Sequence, residues 1–174
     1  AYIPVVARTK GANSTNFVSD LTVVNTDVVE DLDVNAYFTP DGSSNFFAAH
    51  MLIPAGRTRE FSDVVANTFA GQDGSGWILL DLSHPRALVT SRTYNLQPTG
   101  TYGLGVSSRP GDAIASGEQR ALLQHWKSGY RVNVGLTEVS GTASNVTIDA
   151  YDELGRRTST RSVILRPFEH VQLD

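Results

Sequence analysis

The chain has 174 residues, enough for one sandwich of ordinary size or two small ones. A net charge of −4 and a pI near 5.5 argue against nucleic acid or anionic membranes as main partners. With no cysteine, disulfides, thiolate metal sites and cysteine nucleophiles are excluded.

Charged residues make up 18% of the chain against roughly 25% in ordinary soluble domains. Thr, Ser, Asn, Val and Gly fill the gap, a mix that favours strands and turns. No apolar run approaches the roughly 18 residues of a membrane-spanning helix, so membrane insertion is not expected. The chain starts at Ala1 and its one methionine is Met51, which reads as a signal peptide removed or a piece of something longer. Both readings suit a secreted or cell-surface protein.

The dominant sequence period is two. Strands are expected at 2–7 and 17–24, then at 32–38, where Leu32, Val34, Ala36 and Phe38 alternate with Asp33, Asn35 and Tyr37. The turn Pro40-Asp41-Gly42 closes that strand, and further strands follow at 47–53 and 57–61. Residues 62–69 give the one helical pattern, with Ser62 or Asp63 as a cap and Val64, Val65 and Phe69 turned inward. So short a helix must dock on the sheet. Strands at 77–82 and 87–94 complete a first unit over residues 1–96. A glycine- and proline-rich connection occupies 97–119, with Tyr102, Leu104 and Val106 as a short strand candidate. A second unit, 120–174, has strand candidates at 121–126, 130–137, 146–150, 158–165 and 170–173. Its clearest alternation sets Val146, Ile148 and Ala150 against Thr147, Asp149 and Tyr151.

Two sets of core residues follow from this alternation. In the first unit they are Leu21, Val23, Leu32, Val34, Ala36, Phe38, Trp77 and Leu79; in the second, Val134, Leu136, Val146, Ile148, Ala150 and Ile164.

The two units repeat one motif. Asn16-Phe17-Val18-Ser19-Asp20-Leu21-Thr22-Val23 lies over Gly129-Tyr130-Arg131-Val132-Asn133-Val134-Gly135-Leu136, and Leu32 to Tyr37 over Val146 to Tyr151. Leu52-Ile53-Pro54 and Arg59-Glu60-Phe61-Ser62 lie over Ile164-Leu165-Arg166 and Val171-Gln172-Leu173-Asp174. The second unit stops where the first continues into two more strands, so it reads as incomplete. The expected fold is an all-β, antiparallel, immunoglobulin-like β-sandwich in two copies.

Several stretches resemble a module family of bacterial secreted and surface proteins. They are Tyr2-Ile3-Pro4-Val5-Val6-Ala7, Phe17-Val18-Ser19-Asp20-Leu21 with Asn25, Val89-Thr90-Ser91-Arg92-Thr93-Tyr94-Asn95 with Gly100-Thr101-Tyr102-Gly103, and Tyr130 to Leu136. The resemblance spans nearly the whole chain and implies tandem immunoglobulin-like sandwiches beside peptidase or anchoring regions. It brings no defined activity or catalytic residue. Glu138 and Val139 stand where the family has an Asn-Pro pair.

No catalytic constellation is expected. There is no Gly-x-Ser-x-Gly, and His50, His84, His125 and His170 each stand isolated in the sequence. The acidic pairs Glu30-Asp31 and Asp152-Glu153 fall at strand ends, where turn chemistry explains them better than a glycosidase pair. Asp41-Gly42-Ser43-Ser44-Asn45 begins like a calcium loop but has Phe46 where glycine is required and Leu52 where the bidentate Glu belongs. A loose calcium contact among Asp27, Glu30 and Asp31 is the one metal alternative, and no cofactor or metal site is assigned. Trp77, Tyr94, Tyr102, Trp126 and Tyr130 form a candidate platform for stacking on sugar, against a reading in which both tryptophans plug the cores. Arg156, Arg157, Arg161 and Arg166 read as a solvated strip that keeps a sheet edge from sticking. The functional expectation is a non-catalytic structural or adhesive module with protein partners, self included, met by strand addition. The alternative is a carbohydrate-binding module of a secreted enzyme.

Overall fold

A computed structural model of the chain describes residues 1–11, 14–108, 113–122 and 133–173. His125, Trp126 and Tyr130 lie outside these residues, as do most of the strand expected at 121–126 and the start of that expected at 130–137. Strands account for 59% of the chain and helix for 4%, so the fold is all-β.

The first strands are β1 (Tyr2–Lys10), β2 (Asn16–Asn25), β3 (Leu32–Pro40), β4 (Phe47–Ile53) and β5 (Thr58–Phe61). Helix α1 (Val64–Thr68) follows, then β6 (Gly74–Leu82), β7 (Ala87–Gln97) and β8 (Gly100–Ser107). They form one antiparallel sheet in the order β4-β3-β6-β1-β2-β7-β8, with β5 also paired to β2. The sheet turns over on itself at β1. That strand runs along β6 from Tyr2 to Arg8, with a bulge between Ile3 and Val6, and meets β2 only at Arg8–Lys10. Bulges of this kind bend a strand and sharpen its twist. The fold brings the inner faces of both halves onto one core, giving a sandwich-like body.

That core joins Ile3 and Val6 with Leu21, Val23, Leu32, Val34, Ala36, Phe38, Met51, Ile53, Ile78, Leu80 and Val89. The short helix closes one side, with Val64, Val65 and Phe69 buried and Phe69 tilted against Phe38 at 5.6 Å between ring centroids. The β3 alternation therefore reads correctly from sequence, and so does the helix. Gly76 is required where β6 passes β3: a Cβ there would sit 2.1 Å from the Thr39 carbonyl oxygen.

The reading of β6 needs correction. Phe38 and Ala36 lie opposite Ile78 and Leu80, so those two fill the core and Leu79 is only half-buried on the other face. Trp77 shares that outer face and lies opposite Thr39. It is 1% exposed because the C-terminal part of the chain covers it.

That part has β9 (Val134–Thr137), β10 (Ser144–Tyr151), β11 (Arg157–Leu165) and β12 (His170–Leu173). β9 pairs with β12 and β10 with β11, as two separate antiparallel pairs among the described residues. The 166–170 stretch docks on the first sheet. The Trp77 indole N–H donates to the Phe168 carbonyl at 3.0 Å, the Gly42 amide to the His170 carbonyl at 3.0 Å, and Arg166 to the Gly42 carbonyl at 2.6 Å. These contacts hold the C-terminal strands to the first sheet. The extended 1–7 segment, considered as a strand to donate to a neighbour, is instead β1, with Ile3 and Val6 fully buried.

A second correction falls in β11. Ile164, expected inside, is 73% exposed, and Leu165 beside it is 2% exposed. Ala150 is exposed too, while Val146 and Ile148 are half-buried. Because side chains alternate strictly, this is a slip of one residue in the reading of β11. Ile164→Asp is accordingly expected to change unfolding free energy by less than about 0.5 kcal/mol. Leu165→Asp, which buries a charge without a partner, is expected to cost several times more. Urea titrations of the two variants check this.

The short strand candidate at Tyr102, Leu104 and Val106 is part of β8, which pairs along its whole length with β7. The large sheet therefore continues past residue 96.

Candidate functional site

The three described members of the expected aromatic platform, Trp77, Tyr94 and Tyr102, do not come together. Trp77 is closed under Phe168. On β7 and β8, Tyr94 lies opposite Gly103 and Tyr102 opposite Asn95, which puts the two tyrosines on opposite faces. The Tyr94 hydroxyl donates to Asp20 at 3.3 Å and its ring lies under Arg92 at 4.7 Å. Burial, with the Asp20 carboxylate adding to it, raises its phenol above the ordinary tyrosine value. Tyr102 is 70% exposed. Trp126 and Tyr130 are outside the described residues.

The acidic pairs serve turns. Asp31 accepts the Ala55 amide at 2.9 Å. Asp152 accepts the amides of Leu154 and Arg156 and pairs with the Arg156 guanidinium at 2.7 Å. The Arg156 amide and side chain hold its carboxyl below the usual carboxylate range.

Two polar clusters do form. One lies at the junction of the C-terminal pairs with the first sheet, where Glu138, Glu169 and His170 are all buried. Glu138 accepts the amides of Ser140, Gly141 and Phe168. Burial alone would raise its carboxyl, but the Ser140 hydroxyl and these amides outweigh it and hold it low. Arg166 and Glu169 form a double contact, at 3.0 and 2.6 Å, which holds the Glu169 carboxyl low. His170 is bonded to the Thr137 hydroxyl at 2.7 Å, and its other nitrogen lies 3.6 Å from Asp41.

Burial lowers the His170 imidazole below its ordinary value of 6.5, with Asp41 opposing. The folded state thus favours the neutral ring while the unfolded chain takes up the proton. Stability from this group is present above pH 6.5 and declines as the pH falls below it. Unfolding free energies measured from pH 7.5 to 5.5 are expected to fall more steeply in the wild type than in His170→Gln.

The second cluster sits at one end of the sandwich, where the β2–β3 and β6–β7 loops meet. The β2–β7 register runs to Asn25 opposite Ala87, and the Thr26 amide donates to the Arg86 carbonyl at 3.0 Å. This places Asp27, Glu30, His84 and Arg86 together. Asp27 is 6% exposed. Its amide donates to the buried Asn25 side chain at 3.0 Å, and its Oδ1 accepts the amides of Val29 and Glu30 at 2.9 and 3.3 Å. Those amides, the Val29 bond foremost, with Arg86 and His84 nearby, hold the Asp27 carboxyl below the usual range against the effect of burial. Arg86 bridges Asp27 Oδ2 and Glu30 Oε2, the latter at 2.8 Å. The contact with Asp27 is an ion pair without hydrogen-bond geometry. Both ring nitrogens of His84 are closed to solvent and have no hydrogen-bond partner among the described residues. Ligand atoms of Asp27, Glu30 and His84 lie within 4.8 Å of one another.

Of the three oxygens weighed for calcium, the structure thus keeps Asp27 and Glu30, sends Asp31 elsewhere, and adds His84. Sequence spacing gives no hint of His84, because more than fifty residues and the whole sandwich topology separate it from Asp27. Comparison with known proteins returns no matching family model, no matching curated protein and no matching solved structure.

Proposed function

We propose that the chain is a non-catalytic secreted module, structural or adhesive, that assembles through protein–protein contacts made by adding a strand at β10. The observation that carries this is the state of the β10 edge. β3, the inner strand of the β3–β4 hairpin, is paired on its far side with β6 from Val34 to Pro40. β10 has β11 alone among the described residues.

The comparison between these hairpins rests on matched details. β2 pairs with β5 from Leu21↔Phe61 to Val24↔Thr58, and β9 with β12 from Val134↔Leu173 to Thr137↔His170. The Arg57 amide returns to the Pro54 carbonyl and the Glu169 amide to the Arg166 carbonyl, each at 3.0 Å. Gly56 and Phe168 take the same left-handed conformation in those turns, with φ of 65° and 60°. Asn25 and Glu138 each accept the amide two residues on. These matches support a repeat of two immunoglobulin-like units.

The two edges of the β10–β11 hairpin differ. β11 carries Arg157 and Arg161, and fixed charges deter strand addition. β10 carries only Asp149, already engaged by Thr160 at 2.6 Å and by Arg157. Its inner face holds half-buried Val146 and Ile148. A two-stranded pair is marginal by itself, and a further strand stabilises it. The partner is the β10 of a second copy. Antiparallel pairing centred on Ile148 sets Thr147 against Asp149 and Val146 against Ala150, with no like charges opposed. The arginines of β11 then lie at both outer edges and stop growth at a dimer.

Light scattering is expected to give twice the 18.8 kDa chain mass. Thr147→Asp, which sets carboxylates face to face across the two-fold, should give a monomer of unchanged circular dichroism, and Thr147→Lys should stay dimeric. A wild type that remains monomeric at high micromolar concentration would overturn the reading.

A further inference from the structure

We infer that Asp27, Glu30 and His84 form a divalent-cation site suited to zinc, with Arg86 as a resident competitor for the same carboxylates. This stands apart from the assembly reading and rests on the loop end of the first sandwich alone.

More than a gathering of acids is present. Asp27 is more than nine-tenths buried, and its Oδ1 is fully used by two amides while Oδ2 has no hydrogen bond. Arg86 meets that oxygen as an ion pair only, a place that a metal cation can take over. The His84 nitrogens are shut away from water, and neither is bonded. An imidazole always offers at least one donor or one lone pair at each nitrogen, so two empty positions in a closed site mark a missing partner. The unpartnered imidazole falls in the same cluster as Asp27 and Glu30.

The charges agree. Two carboxylates face one guanidinium, so the acidic groups outnumber the arginine. The Arg86 and Glu30 side chains are 56% and 64% exposed, so Arg86 can swing into solvent and Glu30 can close on an ion. Asp27 is the fixed element, held through Asn25 and the Val29 and Glu30 amides. One imidazole nitrogen and two carboxylates make a three-ligand set of the kind zinc accepts, with further positions for water. Calcium wants six or more oxygens and no nitrogen, so it fits poorly. Among divalent ions of similar size, imidazole moves preference toward zinc.

The competitor gives the idea its distinctive test. Isothermal titration of the full chain with zinc chloride is expected to show one site per chain. Arg86→Ala removes the rival cation and should tighten zinc binding about tenfold, although it removes an ion pair from the apo protein. His84→Ala should weaken binding by at least about tenfold. His50→Ala, which alters the exposed His50–Asp33 pair at 2.9 Å, should bind as the wild type does. Zinc should raise the melting temperature of the wild type and of Arg86→Ala but not of His84→Ala. Circular dichroism establishes that each variant is folded. Equal zinc binding by the wild type and His84→Ala would overturn the proposal, as would no binding by either the wild type or Arg86→Ala.

Discussion

Replacing Val34 by aspartate is expected to cost about 3–5 kcal/mol, the penalty of a buried charge with no partner. Val34 is fully buried in β3, opposite Met51 on one side and Leu82 on the other. No cation lies among the residues of the core cluster around it, so the carboxylate must either take a proton or open the sandwich. The matching change in the C-terminal part, Ile148→Asp, should cost under about 2 kcal/mol, because half-burial leaves the new charge within reach of water. Its cross-strand neighbour Arg161 is a cation as well. Urea unfolding followed by circular dichroism separates the two. Equal losses at both sites would mean that the C-terminal pairs are packed as deeply as the first sandwich.

Trp77→Ala is expected to cost a further large amount, about 3–5 kcal/mol, and to act at a distance. Trp77 lies on the outer face of β6, so its loss opens the junction more than the core. The 166–170 stretch would lose both the buried ring and the indole bond to Phe168. Backbone amides of β9 and β12 should then exchange with solvent faster, while those of β2 and β3 change little. Trp77→Phe keeps most of the volume and drops the hydrogen bond, leaving the Phe168 carbonyl unmet, and should cost about 1–2 kcal/mol. Uniform acceleration across the chain would show that Trp77 belongs to the main core after all.

The residues that read well from sequence and those that did not differ in a physical way. β3 alternates cleanly because one face is buried and the other wet, so Leu32, Val34, Ala36 and Phe38 announce their side. Trp77-Ile78-Leu79-Leu80 is apolar without a break, since β6 has the core on one face and the C-terminal stretch on the other. A strand covered on both sides does not reveal its register. Val163-Ile164-Leu165 is also apolar without a break, so it hid the slip in β11 even though Ile164 faces solvent. β8 read as only a short strand within a connection because Gly100, Gly103 and Gly105 lower its strand propensity. Pairing with β7 overrides that local preference, and a side chain at Gly103 would strike the Thr93 carbonyl oxygen at 2.3 Å.

The functional residues were less legible than the fold. The platform was assembled from residue type alone, and the pleat sends Tyr94 and Tyr102 to opposite faces. The Asp27–Glu30–His84 cluster depends on the ends of two loops meeting, which follows from the β2–β7 register and from no local pattern. His170 read as an isolated histidine and Glu138 as a departure from the Asn-Pro pair of the resembling family. They are buried because the 166–170 turn folds down on the Pro40–Gly42 turn.

The claim that β10 recruits a second copy is tested most directly by hydrogen exchange at two protein concentrations. In an isolated β10–β11 pair, alternate β10 amides point away from β11 into solvent. Strand addition would shelter those amides. The outward amides between Asn145 and Tyr151 are expected to become protected as concentration rises in the wild type and to stay unprotected in Thr147→Asp. Rapid exchange of these amides at every concentration would contradict it.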